Sequence, residues 1–438
     1  MKFIGESVDD DEFLAVGLAD AMITRLSKVS RLVVRPTSSV LRFADWEDLF
    51  AAGRELGVDS AARSDAQANA SLWEDKFNEK FTDVLELEDL VAEKTAGILI
   101  PKLTGEEQKK LARRGTNNPQ AFEAYLRGRY HMSIFTSAEL ARAKEHFERA
   151  VRLDPEYALA YFGLADYYFA LGTFGSVAPV ESFGKAQEMA ERALQIDDSL
   201  GEANAVLGFT YFTDPDFERV EKTLRRSIEL NPNYSLSRIW LSVLLNFYGK
   251  HEEAVEEARR AAELNPLSGF DRQHRAWILY HARRFDEAVT RTRALLKDEP
   301  NFSHALGVLG WMLRHRGESA ESLKYAERAV QLSGGNPWFV ASFAASCAEA
   351  GQMEKARRIL ADLEKISAEK FVSPFCMAVA YCALGETNRA FAELENALKT
   401  RDLWLVWIAS EPQFDRLRDD ERYRDLLRRM NYPQSNEG

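Results

Sequence analysis

The chain has 438 residues and 46% of them are hydrophobic, so it can bury an extended core and is not a disordered protein. Its net charge is −12, and residues 1–100 carry most of that charge, with 11 Lys and Arg against 20 Asp and Glu. Because neither part of the chain has the basic surplus that neutralises phosphate groups, we expect no direct nucleic-acid binding.

The hydropathy pattern predicts a chain that does not insert into membranes. No apolar run approaches the roughly 20 residues that cross a bilayer, and Ser242 and Asn246 interrupt the most apolar stretch, residues 239–248. Residues 1–11 lack the basic and then apolar pattern of a secretion signal. We therefore expect a cytoplasmic protein, and no pattern in the sequence indicates an oligomeric state.

The first part of the chain, residues 1–103, predicts a small region of mixed helices and strands. Its predicted elements are a helix over residues 13–29, a short buried strand over residues 32–35, and helices over residues 46–56 and 84–100. Residues 59–70 contain almost no β-branched or large apolar residue, so they do not read as a strand. The sheet of this region is therefore expected to be incomplete.

Several short words in this region occur in the order of a known module. The words are Gly17-Leu18-Ala19-Asp20, Arg35-Pro36-Thr37-Ser38-Ser39, Gly53-Arg54-Glu55-Leu56-Gly57-Val58 and Leu72-Trp73-Glu74-Asp75-Lys76-Phe77. Together they resemble the TolB-like α/β module of bacterial regulators. The resemblance implies a regulatory context, although residues 59–70 depart from the family, which places a strand hairpin there.

Residues 104–118 turn polar and predict a helical connection. Thr104 stands three residues before Glu107, the spacing with which a side chain caps the start of a helix. Asn118-Pro119 then opens the remainder of the chain, which is organised by a repeat.

The repeat shows in the spacing of proline. Asn231-Pro232 recurs at Asn265-Pro266, and Glu299-Pro300 follows, so the spacing is 34 residues twice. Within each interval, an apolar helical run is followed by a polar break and a second run with alanines on one face, such as Ala254, Ala258 and Ala261. This order predicts a unit of two helices, and such a unit needs neighbours to bury its apolar face.

The recurring small residues identify the unit more closely. They are Ala165, Gly208, Ser242, Ala276 and Gly310 in the first helices and Ala186, Ala254, Ala288, Ala356 and Ala390 in the second. With the 34-residue period and the closing proline, they resemble the tetratricopeptide repeat. The resemblance implies a mainly α fold, an α–α superhelix with the small α/β region ahead of it. An ordinary helical bundle is the alternative, but a bundle need not keep a fixed period.

We predict about eight repeats over residues 119–400 and capping helices over residues 401–438. The repeats begin near Pro119, Glu156, Ser199, Asn233, Leu267, Asn301, Pro337 and Pro374. The interval between Pro155 and Pro232 exceeds two periods by nine residues, and residues 173–182 are predicted to hold this surplus as a long loop.

No catalytic constellation is evident. The sequence has no Gly-rich phosphate loop after a strand, no His-Glu-x-x-His and no Gly-x-Ser-x-Gly, so we predict a non-enzymatic chain with no cofactor and no metal. His274 and His281 are two helical turns apart, too far to share one ion, and we interpret them as solvated or hydrogen-bonded groups. Cys347 takes the place of a core leucine, and the three cysteines show no disulfide pattern.

A stack of two-helix units has a concave groove lined by its first helices, and its side chains are the candidate site. They are Phe209, Asn246, Phe247, Gln273, Trp277, Tyr280, His281, Trp311, Arg314 and His315. Aromatic and Arg side chains dominate interface energies, so we predict that a protein or peptide partner binds here. Three alternatives stay open. Trp277 and Trp311 could pack between repeats, the chain could be a small-molecule-sensing regulatory module that uses its N-terminal region, or it could be an enzyme with unrecognised chemistry.

Overall fold

The computed structural model describes residues 8–29, 32–40, 43, 49–56, 85, 104, 105, 107, 115–134, 136–174, 179–213, 216–368 and 371–432. Within these ranges the regular structure is helical, with no strand. The N-terminal helices are α1 (Val8–Leu26), α2 (Thr37–Val40) and α3 (Leu49–Leu56).

Residues 119–399 form eight consecutive pairs of helices. The pairs are α4 (Pro119–Ile134) with α5 (Ser137–Leu153), α6 (Ala158–Phe174) with α7 (Pro179–Ile196), α8 (Gly201–Thr210) with α9 (Phe217–Leu230), α10 (Ser235–Phe247) with α11 (His251–Leu264), α12 (Gly269–His281) with α13 (Phe285–Asp298), α14 (Ser303–His315) with α15 (Ser319–Leu332), α16 (Pro337–Glu349) with α17 (Met353–Ile366), and α18 (Pro374–Ala383) with α19 (Thr387–Lys399). Each first helix also contacts the first helix of the next pair, so the pairs stack into a solenoid.

Small side chains let the two helices of a pair approach closely. In α11, Ala254, Ala258 and Ala261 are fully buried against α10, which supplies the larger Leu241 and Leu245 to the same core. Helix starts are also encoded locally, because Asn336 and Ser373 accept hydrogen bonds from the first turns of α16 and α18, each ahead of a proline.

The turn inside each of the last five pairs needs one residue with a left-handed backbone. Four pairs place glycine there, at Gly249, Gly317, Gly351 and Gly385, with φ between +73° and +78°. The fifth pair has Arg283 at the equivalent position, 34 residues after Gly249, with φ of +63°. A side chain with a Cβ is strained in this conformation, so Arg283 departs from the local rule of the repeat.

The second pair absorbs its surplus residues differently from the prediction. Helix α6 has 17 residues and α7 has 18, whereas the pairs from α10 to α17 use 13 and 14. The helices extend to Phe174 and resume at Pro179, so the long loop predicted over residues 173–182 is wrong. Continued helix satisfies its own backbone groups, which an extended loop would have to leave to solvent.

The N-terminal part lies against the solenoid, with α1 packed on α4. Asp20 of α1 accepts a hydrogen bond of 2.8 Å from Nε of Arg129, whose Nη1 donates to Asp166 of α6 at 3.0 Å. Burial tends to lower the pKa of Arg129, but the carboxylates of Asp20 and Asp166 outweigh burial and raise it. An ion pair this well enclosed joins α1 to the first two helix pairs.

The predicted strand over residues 32–35 is wrong. Residues 32–36 form no regular secondary structure, and the N–H of Val34 donates instead to Oδ1 of Asn233 at 3.4 Å. Nδ2 of Asn233 donates to the carbonyl oxygen of Leu32 at 2.8 Å. The described residues therefore do not support the predicted α/β region. The predicted helix over residues 84–100, apart from Leu85, and residues 59–70 lie outside the described ranges.

After α19 the chain leaves the repeat. Two 3-10 helices, Leu403–Trp407 and Pro412–Leu417, run along the first helices of the solenoid, and α20 (Glu421–Arg429) follows. Helix α20 buries Tyr423 and Leu426 and pairs Arg429 with Glu395 of α19. Thus α20 covers the last pair, whereas residues 402–417 lie along the first helices. None of the helices that the structure describes is long and apolar enough to cross a membrane.

Candidate functional site

The candidate site is the surface that the first helices present to residues 402–417. We call that surface, carried by α10, α12, α14 and α16, the groove, and we call residues 402–417 the C-terminal segment. The chain's own segment thus occupies the position predicted for a partner. The groove side chains were expected to be accessible, and most of them are buried beneath it.

Glu411 is the centre of the contact. Its side chain has no exposed surface, and its Oε1 accepts hydrogen bonds from Oη of Tyr280 at 3.1 Å and from Nε1 of Trp311 at 3.2 Å. The backbone N–H of Gln413 donates to the same oxygen at 2.9 Å. Two neighbouring first helices, α12 and α14, therefore each supply one donor to a single carboxylate.

Arg314 holds the residue that follows. Its Nε donates to Oε1 of Gln413 at 3.1 Å, and its Nη1 donates to the carbonyl oxygen of Ser342 at 3.0 Å. Gln413 in turn donates from Nε2 to Oη of Tyr280 at 3.2 Å. Arg314 is only 3% exposed, so its guanidinium is part of the buried structure that joins α14, α16 and the C-terminal segment.

Ser410 is held from two further first helices. Nδ2 of Asn246 in α10 donates to its Oγ at 2.8 Å, and Nδ1 of His281 in α12 lies 3.0 Å from the same oxygen. Nε2 of His281 also lies 3.8 Å from Oε2 of Glu411. These hydrogen-bonded contacts of the segment thus come from α10, α12 and α14.

An aromatic layer lies beside these polar contacts. Trp404 and Trp407 of the segment meet Trp338 and Trp277 of the groove at ring-centroid distances of 5.3 and 5.9 Å. Trp407 also stacks on the ring of His281 at 4.3 Å. Such pairs add to the free energy gained by burying the rings, so the layer anchors the segment along with its hydrogen bonds.

The strained turn residue, Arg283, lies at the rim of the groove. Its two Nη atoms donate to the two carboxylate oxygens of Asp415 at 2.6 and 2.7 Å. About two-fifths of each side chain is exposed, so the pair is bidentate but partly solvated. The one turn without glycine in the last five pairs is thus the turn that contacts the C-terminal segment.

The electrostatics follow from burial. Burial raises the pKa of Glu411 to about 7, although its hydrogen bonds and Arg314 oppose the shift. Burial lowers the pKa of His281 well below its usual range and also lowers that of Arg314. At the centre of the contact, groove donors therefore bond to the carboxyl group of Glu411, which titrates near neutral pH, and the uncharged imidazole of His281 bonds to Ser410 of the segment.

The other predicted site residues have different surroundings. Phe209 packs in a cluster with Phe169 and Trp240, and Phe247 contacts Phe217 and Tyr432. Gln273 donates to Thr292 of its own pair at 3.3 Å, so it faces the second helix and not the groove.

His315 is half-buried at the groove rim and packs on Phe285 at 4.6 Å. Trp311 packs between repeats, one of the two roles considered for it, because it stacks on Trp338 of the next pair at 5.6 Å.

Sequence reasoning missed the partners that come from the C-terminal segment. They are Trp404, Trp407, Ser410, Glu411, Gln413 and Asp415, together with Arg283 and Trp338 of the solenoid. One signal was available. Aligning the turns at 34-residue spacing shows arginine where the other four turns have glycine.

His274 and the three cysteines are buried in the core. His274 lies 2.9 Å from Oγ of Ser242, and burial lowers its pKa to about 3. Among the described residues, no group of three His, Cys, Asp or Glu side chains is placed to hold a metal ion. Cys347, Cys376 and Cys382 are buried free thiols, and Sγ of Cys382 lies 3.4 Å from the carbonyl oxygen of Gln413, beneath the C-terminal segment.

One curated relative and several solved structures are similar to parts of this chain. "Putative adenylate cyclase 3" of Rhizobium meliloti (strain 1021) is 26% identical over 220 residues, which cover 45% of this chain and 37% of that protein. The match therefore spans little more than a third of the relative's length, and the activity in its name is said of that protein alone.

Three solved structures overlap about half of the chain. YrrB, described as a TPR protein with an unusual peptide-binding site, is 18% identical with a TM-score of 0.30 over 43% of this chain and 93% of its own. TTC0263 of Thermus thermophilus is 17% identical with a TM-score of 0.36 over 42% and 96%. PilF of Pseudomonas aeruginosa is 18% identical with a TM-score of 0.34 over 53% and 98%.

A family profile gives the most direct comparison. The tetratricopeptide repeat profile matches residues 135–176 and 275–337. The second range runs from α12 to the start of α16 and so includes Trp277, Tyr280, His281, Trp311 and Arg314. Together with the stacked helix pairs, this match supports tetratricopeptide repeats in these two ranges of the chain.

Proposed function

We propose that the chain is a non-enzymatic scaffold that binds a protein or peptide partner in the groove, within a bacterial regulatory system. The observation that carries the proposal is the way the groove holds the C-terminal segment. Side chains from α10, α12, α14 and α16 donate to, accept from or stack on a short non-repetitive polypeptide. A surface that engages one polypeptide through convergent side chains has the chemistry to engage another.

Its composition also suits partner binding. Trp, Tyr and Arg side chains dominate the binding energy of protein interfaces, and Trp277, Tyr280, Trp311 and Arg314 are concentrated here. Tetratricopeptide repeats bind protein or peptide partners, and the repeat profile covers these four residues. The regulatory context rests on the words in residues 17–77 that resemble the TolB-like module.

The rim of the groove gives a direct test. His315 is half-buried beside the C-terminal segment, so we would replace it with a photo-cross-linking amino acid in the full chain. Met353, which is 39% exposed at the start of the second helix α17, is the matched control position. In lysate of the cells that make this protein, we expect one defined polypeptide to cross-link from position 315 and not from position 353.

Two results would reject the proposal. Equal cross-linking from both positions would place the contact outside the groove. Labelling of no defined polypeptide from position 315, with the variant folded and the cross-linker active, would show that the groove has no polypeptide partner.

A cavity favours a second candidate function, the sensing of a small molecule. It has a volume of about 230 Å³ and lies between α1 and the first two helix pairs, and its lining includes the basic Arg25 and Lys28 and the acidic Glu156 and Asp197. Binding sites for drug-sized ligands are typically larger, about 300–1,000 Å³, so the cavity fits only a small polar ligand. A screen of small polar metabolites by melting temperature tests this function, and stabilisation that Lys28→Ala abolishes would favour it.

A further inference from the structure

We propose that the C-terminal segment is a displaceable latch, which occupies in cis the site where a partner segment of the same chemistry binds in trans. That chemistry is a carboxylate side chain placed between aromatic residues. The inference rests on the proposed function, because it names the kind of partner that the groove takes and the way in which access is controlled.

The polarity of the contacts defines the partner. The groove contributes donors at its centre, from Tyr280 and Trp311, and a guanidinium at its rim, from Arg283. The segment contributes the carboxylates of Glu411 and Asp415. A competing polypeptide must satisfy the same donors, since a buried donor without a partner is costly. An acidic segment fits, and a basic one would place its charge against Arg283 and Arg314.

The aromatic layer defines the remainder of the ligand. Trp404 and Trp407 lie on the N-terminal side of Glu411 and meet Trp277 and Trp338, while Phe414 follows on the C-terminal side and is buried against Phe375. Aromatic residues therefore flank the central carboxylate on both sides. A partner with this arrangement would rebuild the contacts that the segment makes.

The strained backbone of Arg283 indicates that its contact with the segment has a functional role. Glycine would fit the left-handed turn without strain, as it does at Gly249, Gly317, Gly351 and Gly385. The chain instead has a strained arginine at the turn that faces Asp415. Backbone strain held at one member of a repeated position is the kind of outlier that marks a functional contact.

The segment can leave without unfolding a repeat. Its 3-10 helices are closed by local backbone bonds, such as those from Leu405 to Asp402 and from Ile408 to Leu405. Helix α19 ends before it at Lys399, and the left-handed Arg401, with φ of +52°, forms the joint. Release therefore exposes the groove. It breaks the hydrogen bonds that Asp402 accepts from Ser373 and from the N–H of Phe375 at the start of α18, but it leaves the backbone bonds within α18 and α19 in place.

The cis arrangement predicts how binding responds when the latch is weakened. A tethered segment competes at an effective concentration that reaches about the millimolar range, so a partner in trans sees only the open fraction of the protein. Its apparent Kd equals the intrinsic Kd divided by that fraction. A change that opens the latch tenfold further should tighten binding in trans about tenfold, as long as the open form remains the minor one.

The native thiols report on opening. Cys382 is covered by Gln413 of the segment, whereas Cys347 is buried in the core between α16 and α17. Two full-length proteins would each keep one of these thiols and have alanine at the other two cysteines. We expect a maleimide to label Cys382 faster than Cys347, because latch opening is cheaper than global unfolding.

Two variants open the latch from opposite sides. Glu411→Ala removes the central carboxylate and leaves the groove intact, and Arg283→Gly removes the rim contact while relieving the strained turn. We expect Glu411→Ala to accelerate labelling of Cys382 at least tenfold, and Arg283→Gly to accelerate it severalfold without lowering the melting temperature. Labelling of Cys347 should stay unchanged in both. Asp419→Ala, an exposed acidic residue beyond the segment, is the matched control.

Binding in trans uses a fluorescein-labelled peptide of residues 402–418 and fluorescence anisotropy. The Glu411→Ala protein should bind this peptide at least tenfold more tightly than the wild-type protein does. The same peptide carrying Glu411→Ala should bind at least tenfold more weakly than the parent peptide. Arg283→Gly places glycine in a left-handed turn that suits it, so this variant should fold. It provides the labelling test if Glu411→Ala fails to fold.

Three outcomes would overturn the inference. Equal labelling rates for Cys382 and Cys347 in every protein would show that the segment opens only when the array unfolds. Failure of the opened protein to bind the peptide would show that the site works only in cis. Dimerisation of the Glu411→Ala protein would make a second copy the occupant. If photo-cross-linking from position 315 still captured a polypeptide, the proposed function would stand without the latch.

Discussion

At the scale of single residues, the contact between the groove and the C-terminal segment depends on buried polar groups. Glu411 and His281 have fully buried side chains, and Arg314 is nearly so. The cost of burying a carboxylate is lowered when it takes up a proton or accepts several hydrogen bonds. Glu411 does both, because it accepts from Tyr280 and Trp311 and burial raises its pKa to about 7.

The first prediction concerns the pH dependence of Glu411. Its ordinary pKa is 4.5 and its pKa in the folded chain is about 7, so the folded chain keeps a proton that the unfolded chain releases between those values. The contribution of Glu411 to the unfolding free energy is therefore present below pH 4.5 and is lost as the pH rises to about 7. At about 1.4 kcal/mol per pH unit, Glu411→Gln should gain about 2–3 kcal/mol relative to wild type between pH 5 and pH 8.

Comparing the variant with wild type separates Glu411 from its neighbours. The lowered pKa of His281 acts in the opposite direction below its ordinary value, and this contribution is common to both proteins. Urea unfolding at pH 5 and pH 8 measures the change, with Glu253→Gln on the exposed face of α11 as the control. A stability difference that stays constant across this range would mean that Glu411 is ionised throughout.

The second prediction separates two adjacent residues of the groove. Arg314 is buried and bonds to Gln413 and to the carbonyl of Ser342, so Arg314→Ala should lower the unfolding free energy by about 2–4 kcal/mol through lost and unsatisfied hydrogen bonds. His315 is half-buried at the rim, and His315→Ala should cost less than about 1 kcal/mol. Chemical denaturation of both variants measures this. Equal losses would contradict the structure's distinction between them.

At the scale of elements, glycine on a helix face decides how closely the first pairs pack. A Cβ placed on Gly163 of α6 would lie 2.5 Å from the ring of Phe147 in α5, and one on Gly128 of α4 would also meet that ring. Phe147 is fully buried between them. Two glycines from successive first helices therefore make the space for one aromatic side chain of the second helix between them.

The third prediction compares two helical glycines. Gly163→Ala should lower the unfolding free energy by about 1–3 kcal/mol, because the added methyl overpacks against Phe147. Gly184 in α7 is exposed with no atom within 4 Å of an added Cβ, so Gly184→Ala should raise stability by about 0.5–1 kcal/mol through helix propensity. Thermal and urea unfolding of the two variants is the measurement. A stabilising Gly163→Ala would show that Phe147 can move aside.

The stacked helix pairs could be predicted from the sequence because they are local. The 34-residue spacing, the alanines at 254, 258 and 261, and the residues ahead of Pro337 and Pro374 each specify structure within a few turns of themselves. The strand at residues 32–35 failed for the opposite reason. Val33 and Val34 favour extended backbone, but a strand requires a partner, and Val34 bonds to the side chain of Asn233 from a distant repeat.

The occupancy of the groove could not be predicted in the same way. Glu411 meets Tyr280 and Trp311 across 131 and 100 residues of sequence, and 3-10 turns have no long-range periodicity that would place them. The groove residues themselves were recognised by repeat position, which is why Trp277, Tyr280 and Trp311 were named and their partners were not. Position alone also misassigned Gln273, whose amide turns towards Thr292 of its own pair.

At the scale of the whole molecule, the described residues before and after the repeats both pack on the solenoid. Helix α1 packs on α4 and joins α6 through Arg129, while the C-terminal segment crosses α10 to α18. A solenoid requires covered ends, since a terminal repeat otherwise exposes the face that stacks on a neighbour. Here α20 covers the last pair, and the segment before it also covers the inner surface, so capping and groove occupancy come from one continuous stretch.

The last prediction separates these two contributions with a pair of truncations. A chain that ends at Asp419 loses α20 and uncovers the side of α19 beneath it, including Phe391, whose ring lies under Arg422, but keeps the segment over the groove. A chain that ends at Arg401 loses both and also exposes Trp277, Trp311 and Trp338.

We expect both truncated chains to associate in light scattering, because each exposes an apolar face that folded monomers rarely leave open. Only the chain that ends at Arg401 should show a red shift of tryptophan emission in its folded state, since only there do the groove tryptophans meet water. If that chain remained monomeric with unshifted emission, the segment would not be what keeps water from the groove. If the chain that ends at Asp419 shifted equally, α20 and not the latch contacts would be holding the segment in place.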